Sequence, residues 1–542
     1  MRGKNRMVQP TEEQQAAVDR FLTGRPLKIT AFAGAGKTAT LRMLAEASRA
    51  RGIYLAFNRA VADEARATFP PSAACQTTHA IAFRAMIGHY RSTAKMVDSL
   101  HAKQLAALSF QTDRIFSDKF RLDGVQQAYL VLGTVNRFCQ SNDPVIGLEH
   151  VPHYARLLGV GKNIVADIRD WAVVEAKALW RRMIDKRDDI PLGHNGYLKL
   201  WALTGPVLKT DYILLDEAQD TNPVVLGILA EQRAQLVYVG DPYQQIYEWR
   251  GAVNAMHNMP GCEETALTQS FRFGSAIAAE ASRLLATLGE HRQVRGNPDI
   301  SSAIAASGTA EAVLARTNAI VILEILEATG MGRKPYVCGG TEAIKRLLSD
   351  VYELKAGRPA VSPEFFGFQN WPEVVAFANS EEGQDLRTFV QLVLQNGESK
   401  LWAAVNNAVA NERHADVILS TAHKAKGREW NSVRLAGDFI SARLGPDPDA
   451  EAEVRLFYVA MTRAKNLLIA DPELLRMFTT NAWKMMRPSL RPSQSDNSHA
   501  RATAAVTTLR RRHRAGAGSG GASQAAMCLQ SAIASAPVQR EN

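Results

Sequence analysis

Ile29-Thr30-Ala31-Phe32-Ala33-Gly34-Ala35-Gly36-Lys37-Thr38 decides the fold. It lies between an apolar run, Leu27 to Ala33, and a helix-favouring run, Thr38 to Ala47, so it reads as a strand, a glycine-rich turn and a helix N-terminus. That is the setting of a phosphate-binding loop. Gly34 and Gly36, with Ala33 and Ala35 between and before them, let backbone N–H groups wrap a polyphosphate. Lys37 reaches the β and γ phosphates and the Thr38 hydroxyl suits Mg²⁺. The first glycine of the general pattern is Ala31 here.

Working outward, Thr11 starts a helix with Glu12 and Glu13 in its first turn, and Gln14 on that helix offers the paired donor and acceptor that an adenine edge requires. After the loop, Ile53 to Phe57 reads as a strand ending in Asn58-Arg59, and Gln76-Thr77-Thr78-His79 precedes a helix from Ala80 to Ile87. Polar residues at such strand ends fall on the carboxyl edge of an α/β sheet, where ligands bind. Residues 91–205 hold no chemical motif; helix formers and apolar residues at helical spacing, with Phe138, Trp171, Trp180 and Trp201, predict a helical insertion.

The sheet resumes at Tyr212 to Leu215 and ends in Asp216-Glu217-Ala218-Gln219-Asp220. Asp216 can hold Mg²⁺ and Glu217 can orient and deprotonate an attacking water. A further strand, Leu236 to Gly240, delivers Gln244 to the nucleotide side, with Tyr247, Trp249 and Arg250 close behind it. Aromatic planes beside a cation suit stacking on single-stranded bases, at about 1–3 kcal/mol per base.

Composition sets the outer limits. The 542 residues are 46% hydrophobic and 22% charged, enough chain for several cores, and no apolar run is long enough to span a bilayer. The five cysteines, Cys75, Cys139, Cys262, Cys338 and Cys528, are dispersed without zinc or disulfide spacing, and no signal segment is evident. The expectation is a reduced, cytoplasmic protein, nucleoid-associated if bacterial, with no membrane partner. The formal charge is +10, but the stretch from Lys484 to Asn542 carries nine basic and two acidic residues, so the rest is only mildly basic. A nucleic-acid site in the body must then be a local groove. From about Pro488 the chain turns to Ser, Ala, Gly and Arg, which predicts a disordered basic tail over 488–542.

Together with Leu267 to Arg272, Ala315-Arg316-Thr317-Asn318, Ser420 to Trp430 and Leu456 to Lys465, these motifs resemble the ordered set of UvrD/Rep-type superfamily 1 DNA helicases. The wording Phe57-Asn58-Arg59-Ala60-Val61, Asp241 to Tyr247, Gln269 to Gly274 and His423 to Gly427 is similar to the F-box DNA helicase branch and its bacterial relatives, without an F-box-like leader. The resemblance covers about residues 10 to 475. It implies an α/β fold of two RecA-like P-loop domains with parallel sheets and ATP between them. The expected layout is a first RecA-like domain over 1–90 and 206–270 with the insertion at 91–205. The second spans 271–339 and 413–480, with a reduced accessory subdomain at 340–412.

By position, the resemblance implies that Gln14 contacts adenine, that Lys37 and Thr38 contact phosphates and Mg²⁺, and that Asp216 holds the metal. Glu217 would activate water, Gln244 would sense the γ-phosphate, Arg272 and Arg463 would act as arginine fingers, and Glu429 would contact the ribose. Phe57, Asn58, His79, Tyr247, Trp249, Arg250 and His423 are the DNA candidates. The implied activity is an ATP- and Mg²⁺-dependent, 3′ to 5′ DNA helicase or translocase on single strands and their junctions with duplex, in repair or recombination. The alternatives are a motor that strips proteins from DNA with little unwinding and a non-catalytic DNA-binding adaptor of helicase fold.

Overall fold

Two six-stranded, wholly parallel sheets organise the chain in the computed structural model. It describes residues 9–480 except 91, 119, 155–160, 248–253, 257–260, 361, 381–382 and 442–449. The first sheet has the order β3 (Ala73–Gln76), β2 (Gly52–Leu55), β6 (Tyr212–Leu215), β7 (Gln235–Gly240), β1 (Leu27–Ala31), β8 (Glu263–Leu267). The second has the order β11 (Pro335–Val337), β12 (Val417–Thr421), β10 (Ala312–Ala315), β13 (Trp430–Leu435), β14 (Ala464–Ile469), β9 (Ala303–Ala305). Labels follow chain order. Central strands such as β6 and β10 are buried at every position, as a sheet covered by helices on both faces demands. The architecture is the expected α/β one with two RecA-like sheets.

In the first lobe the apolar faces of the helices Glu12–Phe21, Lys37–Ala47 and Arg59–Thr68 pack on β1, β2, β6 and β7. The first of these is set by its ends. Thr11 accepts from Gln14 N–H while the Gln14 side chain caps Thr11 N–H in return, and Glu12 and Glu13 meet the positive end of the dipole. Between β3 and β6 lie the helices Thr93–Val97, Ala102–Ser109, Gly124–Gln140, Lys162–Ile184 and Gly193–Leu203. They are joined by an antiparallel hairpin, β4 (Arg114–Ser117) and β5 (Phe120–Leu122), that the sequence did not announce.

The second sheet is covered on both faces. One core joins it to the helices Ser275–Thr287, Ala450–Met461 and Pro472–Thr479, where Phe457 stacks on Phe478 at 4.1 Å. The other takes in the helices Asn318–Gly330, Glu342–Lys355, Trp371–Ala378 and Glu398–Asn406. The stretch expected as a reduced accessory subdomain, 340–412, thus shares its core with the sheet. Phe32, Ala33 and Ile246 of the first lobe belong to the first of these cores, so apolar packing joins the lobes. The expected disordered tail, and the DNA candidates Trp249 and Arg250, lie outside the described residues.

Candidate active site between the lobes

The loop after β1 turns on two glycines in the left-handed region, Gly34 at φ 75° and Gly36 at φ 74°. Gly36 precedes the helix Lys37–Ala47, and no side chain caps that helix, which leaves its first N–H groups for an anion. A Cβ at Gly34 would lie 2.6 Å from Ser270 Oγ and 2.7 Å from Arg272 Cβ. Gly34→Ala is therefore expected to destabilise the fold by about 1–3 kcal/mol through strain and overlap. Chemical denaturation tests this, and an unchanged midpoint would contradict the cradle.

Three carboxylates converge on Lys37. Its Nζ lies 3.1 Å from Glu217 Oε1. Burial by itself would lower the Lys37 pKa, but Glu217, Asp241 and Asp216 around it raise it above the usual lysine value. Burial, then Glu217 alongside, raises Asp216. Tyr54, on the strand beside β6, donates to Asp216 Oδ2 at 2.7 Å, and Thr38 Oγ1 lies 3.4 Å from the same oxygen. Burial would raise Glu217 too, but Lys37 and then Lys426 outweigh it and push it down to about 2. Glu217 is the single non-glycine residue with positive φ among the described residues, at 50°. Such strain is held in place only by its surroundings. The pair of hard oxygens from Thr38 and Asp216, in a site where three carboxylates face one lysine, fits a divalent cation such as Mg²⁺.

The second lobe closes over this loop. Tyr458 is fully buried; its hydroxyl accepts from Ala33 N–H at 3.1 Å and donates to Asp241 Oδ2 at 3.1 Å. Burial first, then Asp241, raises the phenol far above its usual value, so it stays a donor. Arg463, only 1% exposed, donates to Gln244 Oε1 at 3.3 Å and to the carbonyls of Val459 and Arg428. Burial, with Arg272 nearby, lowers its pKa from the usual arginine value. Gln244 Nε2 in turn donates to Asp241 Oδ2 at 2.7 Å. Arg272 is held by Glu429 Oε2 at 2.7 Å and by the Thr462 carbonyl, and Lys465 takes the other oxygen of Glu429 at 2.7 Å.

The candidates therefore fall into groups. Ala33 to Thr38, Asp216, Glu217, Gln244 and Arg463 meet at one site, and Arg272 and Glu429 pair beside it. Gln14 is buried and engaged: its amide nitrogen donates to Thr40 Oγ1 at 3.2 Å and its oxygen caps Thr11. Among the DNA candidates, the Tyr247 hydroxyl donates to the His423 carbonyl at 3.2 Å. Phe57 is 55% exposed beyond β2, Asn58 caps the helix Arg59–Thr68 through Val61 N–H, and His79 meets Tyr197 edge-on at 6.1 Å. Sequence reasoning gave no role to Tyr54, Asp241, Lys426 or Tyr458. Tyr54 read only as part of a strand, and its signal was its place one strand from Asp216, in register with Leu214.

Comparison with known proteins agrees with this geometry. The UvrD/REP helicase N-terminal domain model matches residues 207–261 and the UvrD-like helicase C-terminal domain model matches 374–470. F-box DNA helicase 1 of Gallus gallus is 31% identical over 526 residues, covering 89% of this chain and 51% of that protein. F-box DNA helicase protein 1 of Schizosaccharomyces pombe is 30% identical over 515 residues, covering 86% of this chain and 58% of that protein. A probable DNA helicase II homolog of Mycoplasma genitalium is 25% identical over 403 residues, covering 52% of this chain and 56% of its own length. The chain thus spans a little over half the length of these relatives. Both domain models match in order, one on each sheet, so the chain carries UvrD-like helicase N- and C-terminal domains.

Proposed function

We propose that this chain is an ATP-hydrolysing motor on single-stranded DNA, a helicase or translocase of 3′ to 5′ polarity that acts at junctions with duplex, in repair or recombination. The observation that carries the reading is the meeting of both lobes at one phosphate-binding loop. Arg463 and Tyr458 come from the second lobe, and Ala33, Asp241 and Gln244 from the first. A polyphosphate there would tie hydrolysis to the separation of the lobes, and two DNA grips that alternate with that motion give movement along a strand.

In this reading the loop from Ala33 to Gly36 and Lys37 bind the phosphates. Thr38 and Asp216 would hold Mg²⁺, which supplies charge neutralisation on the phosphate oxygens when bound. Glu217 takes the proton of the attacking water, Gln244 orients at the γ-phosphate, and Arg463 with Arg272 neutralise the charge that develops. Gln14 and Glu429 flank the base and ribose. The single strand runs over Phe57, Asn58, His79, Tyr247, Trp249, Arg250 and His423. The first RecA-like domain then covers 1–90 and 206–270, and the second 271–339 and 413–480. No helix among the described residues is long and apolar enough to cross a membrane.

Steady-state ATP hydrolysis tests the reading, measured without nucleic acid and with single-stranded DNA, duplex DNA and single-stranded RNA. Stimulation by single-stranded DNA is expected. Loss of one preorganised cation facing the phosphates, in Lys37→Ala, is expected to lower the rate by about 10²–10³-fold. No hydrolysis under any condition would replace the motor by the adaptor reading. The compact packing of 342–406 onto the second sheet favours stripping over unwinding as the second reading. A forked duplex left intact while a bound protein is displaced would establish it.

A further inference from the structure

One second-lobe cation reaches past the phosphate loop to a first-lobe acid that the reading above does not use. Lys426 follows the helix Ala422–Ala425 at the end of β12. Its ammonium pairs with Asp220 Oδ2, donates to the Gln244 carbonyl at 2.5 Å and lies 5.4 Å from the centre of the Tyr247 ring. The Asp220 side chain is 1% exposed, and its Oδ1 is buried without a partner among the described residues. Compensation for burying this carboxylate therefore falls wholly on Oδ2, which is shared between Lys426 and Gln219 Nε2 at 3.2 Å.

Gln219 carries the connection onward. It is fully buried, its Oε1 accepts from Asp241 N–H at 3.1 Å, and its Nε2 also donates to Glu217 Oε2 at 2.5 Å. One side-chain amide thus holds the acid that Lys426 neutralises and the carboxylate that stands as general base. Glu217 sits in the strained left-handed region, so its orientation depends on such partners.

We infer that Asp220 and Gln219 are positioning residues, and that docking of Lys426 across the cleft sets the orientation of Glu217. The inference rests on the function proposed above and deepens it. With the lobes apart, Lys426 leaves, and the Asp220 carboxylate must regain water or a proton. Gln219 keeps Asp241 N–H, but its Nε2 then faces an Asp220 carboxylate that Lys426 no longer holds, and Glu217 is less firmly fixed for attack. Closure returns Lys426 to Asp220 and to the Gln244 carbonyl together. The Tyr247 hydroxyl bonds the His423 carbonyl and its ring faces Lys426, so the aromatic element expected to meet the single strand borders the same cation. The single strand and the second lobe therefore act on the base through one side chain. This is a different task from that of Arg463 and Arg272, whose charge serves the phosphate.

The test uses the full chain with Asp220→Asn, Lys426→Met, their combination and Lys426→Arg, alongside Lys37→Ala. The kcat and KM for ATP are measured with saturating oligo-dT, and KM for oligo-dT with saturating ATP. Each single variant is expected to lose roughly 10- to 100-fold in kcat, the range for residues that orient a reacting group from behind, with both KM values unchanged. The double variant is expected to be no worse than the weaker single, as for residues acting as one unit. Lys426→Arg keeps the charge and restores most of kcat. A fluorescent ATP analogue and thermal melting identify a variant that has failed to fold; Asp220→Asn, which keeps the shape, then carries the comparison. Unchanged kcat in Asp220→Asn, or losses that multiply in the double variant, would overturn the relay. An unsubstituted chain without DNA-stimulated hydrolysis would overturn the relay together with the function it rests on. A stimulated chain with active variants would overturn the relay alone.

Discussion

Glu217→Gln is expected to lower ATP turnover by about 10²–10⁴-fold, the usual contribution of a positioned general base, and to leave nucleotide affinity unchanged. The substitution keeps the shape of the side chain and its bond from Gln219 but removes the ability to take a proton. The direction of the pKa shift gives the prediction a further edge. Lys37, at 3.1 Å, is the first of the groups that offset burial and hold Glu217 at about 2. A carboxylate that acidic is a weak proton acceptor. Phosphates that draw Lys37 away leave Glu217 buried with less compensation, which by itself moves its pKa upward. Single-turnover hydrolysis and equilibrium binding of a fluorescent analogue separate the two effects. Turnover within tenfold of the unsubstituted chain would remove Glu217 from this role.

Arg463→Ala carries the second large effect, about 10³–10⁵-fold in kcat if the guanidinium neutralises the transferring phosphoryl group. Its present contacts make the stability cost separable. The Nε and Nη1 groups serve carbonyls within the second lobe, while Nη2 alone reaches Gln244 across the cleft. Loss of the two carbonyl partners costs about 1–3 kcal/mol per unmet buried group. Loss of Nη2 leaves Gln244 Oε1 and Thr462 Oγ1 without that donor and takes most of the rate. Arg463→Lys keeps a charge without the planar fork, so it should recover stability better than rate. A folded Arg463→Ala variant with a rate near that of the unsubstituted chain would exclude the finger.

The central strands and the loop between β1 and the helix Lys37–Ala47 were legible because their residues have few alternatives. Tyr212-Ile213-Leu214-Leu215 before two acids, and Gly34 and Gly36 before Lys37, each need one local structure. The edge strands were harder. β8 reads Glu-Glu-Thr-Ala-Leu and β9 Ala-Ile-Ala, since a strand with one open side has less need of apolar cover. Asp216, Glu217 and Gln244 were singled out by type and order and Arg463 by the family resemblance, and the structure brings the four to one place. What order could not convey was pairing. Tyr458 reads as a core aromatic in an apolar helix until the opposite lobe brings Ala33 and Asp241 to its hydroxyl. Gln14 shows the converse: its capping-box position was written in Thr11-Glu12-Glu13-Gln14, and the structure uses it there.

The order of strands in the first sheet also sets a timetable for synthesis. β1, which carries the phosphate loop, pairs on one side with β7 and on the other with β8, both made more than two hundred residues later. At about 5–20 residues per second a ribosome needs roughly 10–50 s to supply them. Through that interval the nascent chain holds an apolar strand with both hydrogen-bonding edges unmet, next to an insertion that can already form its local helices. The helices of the insertion are complete before either neighbour of β1 exists, so local contacts there can form ahead of the sheet that contains the active loop.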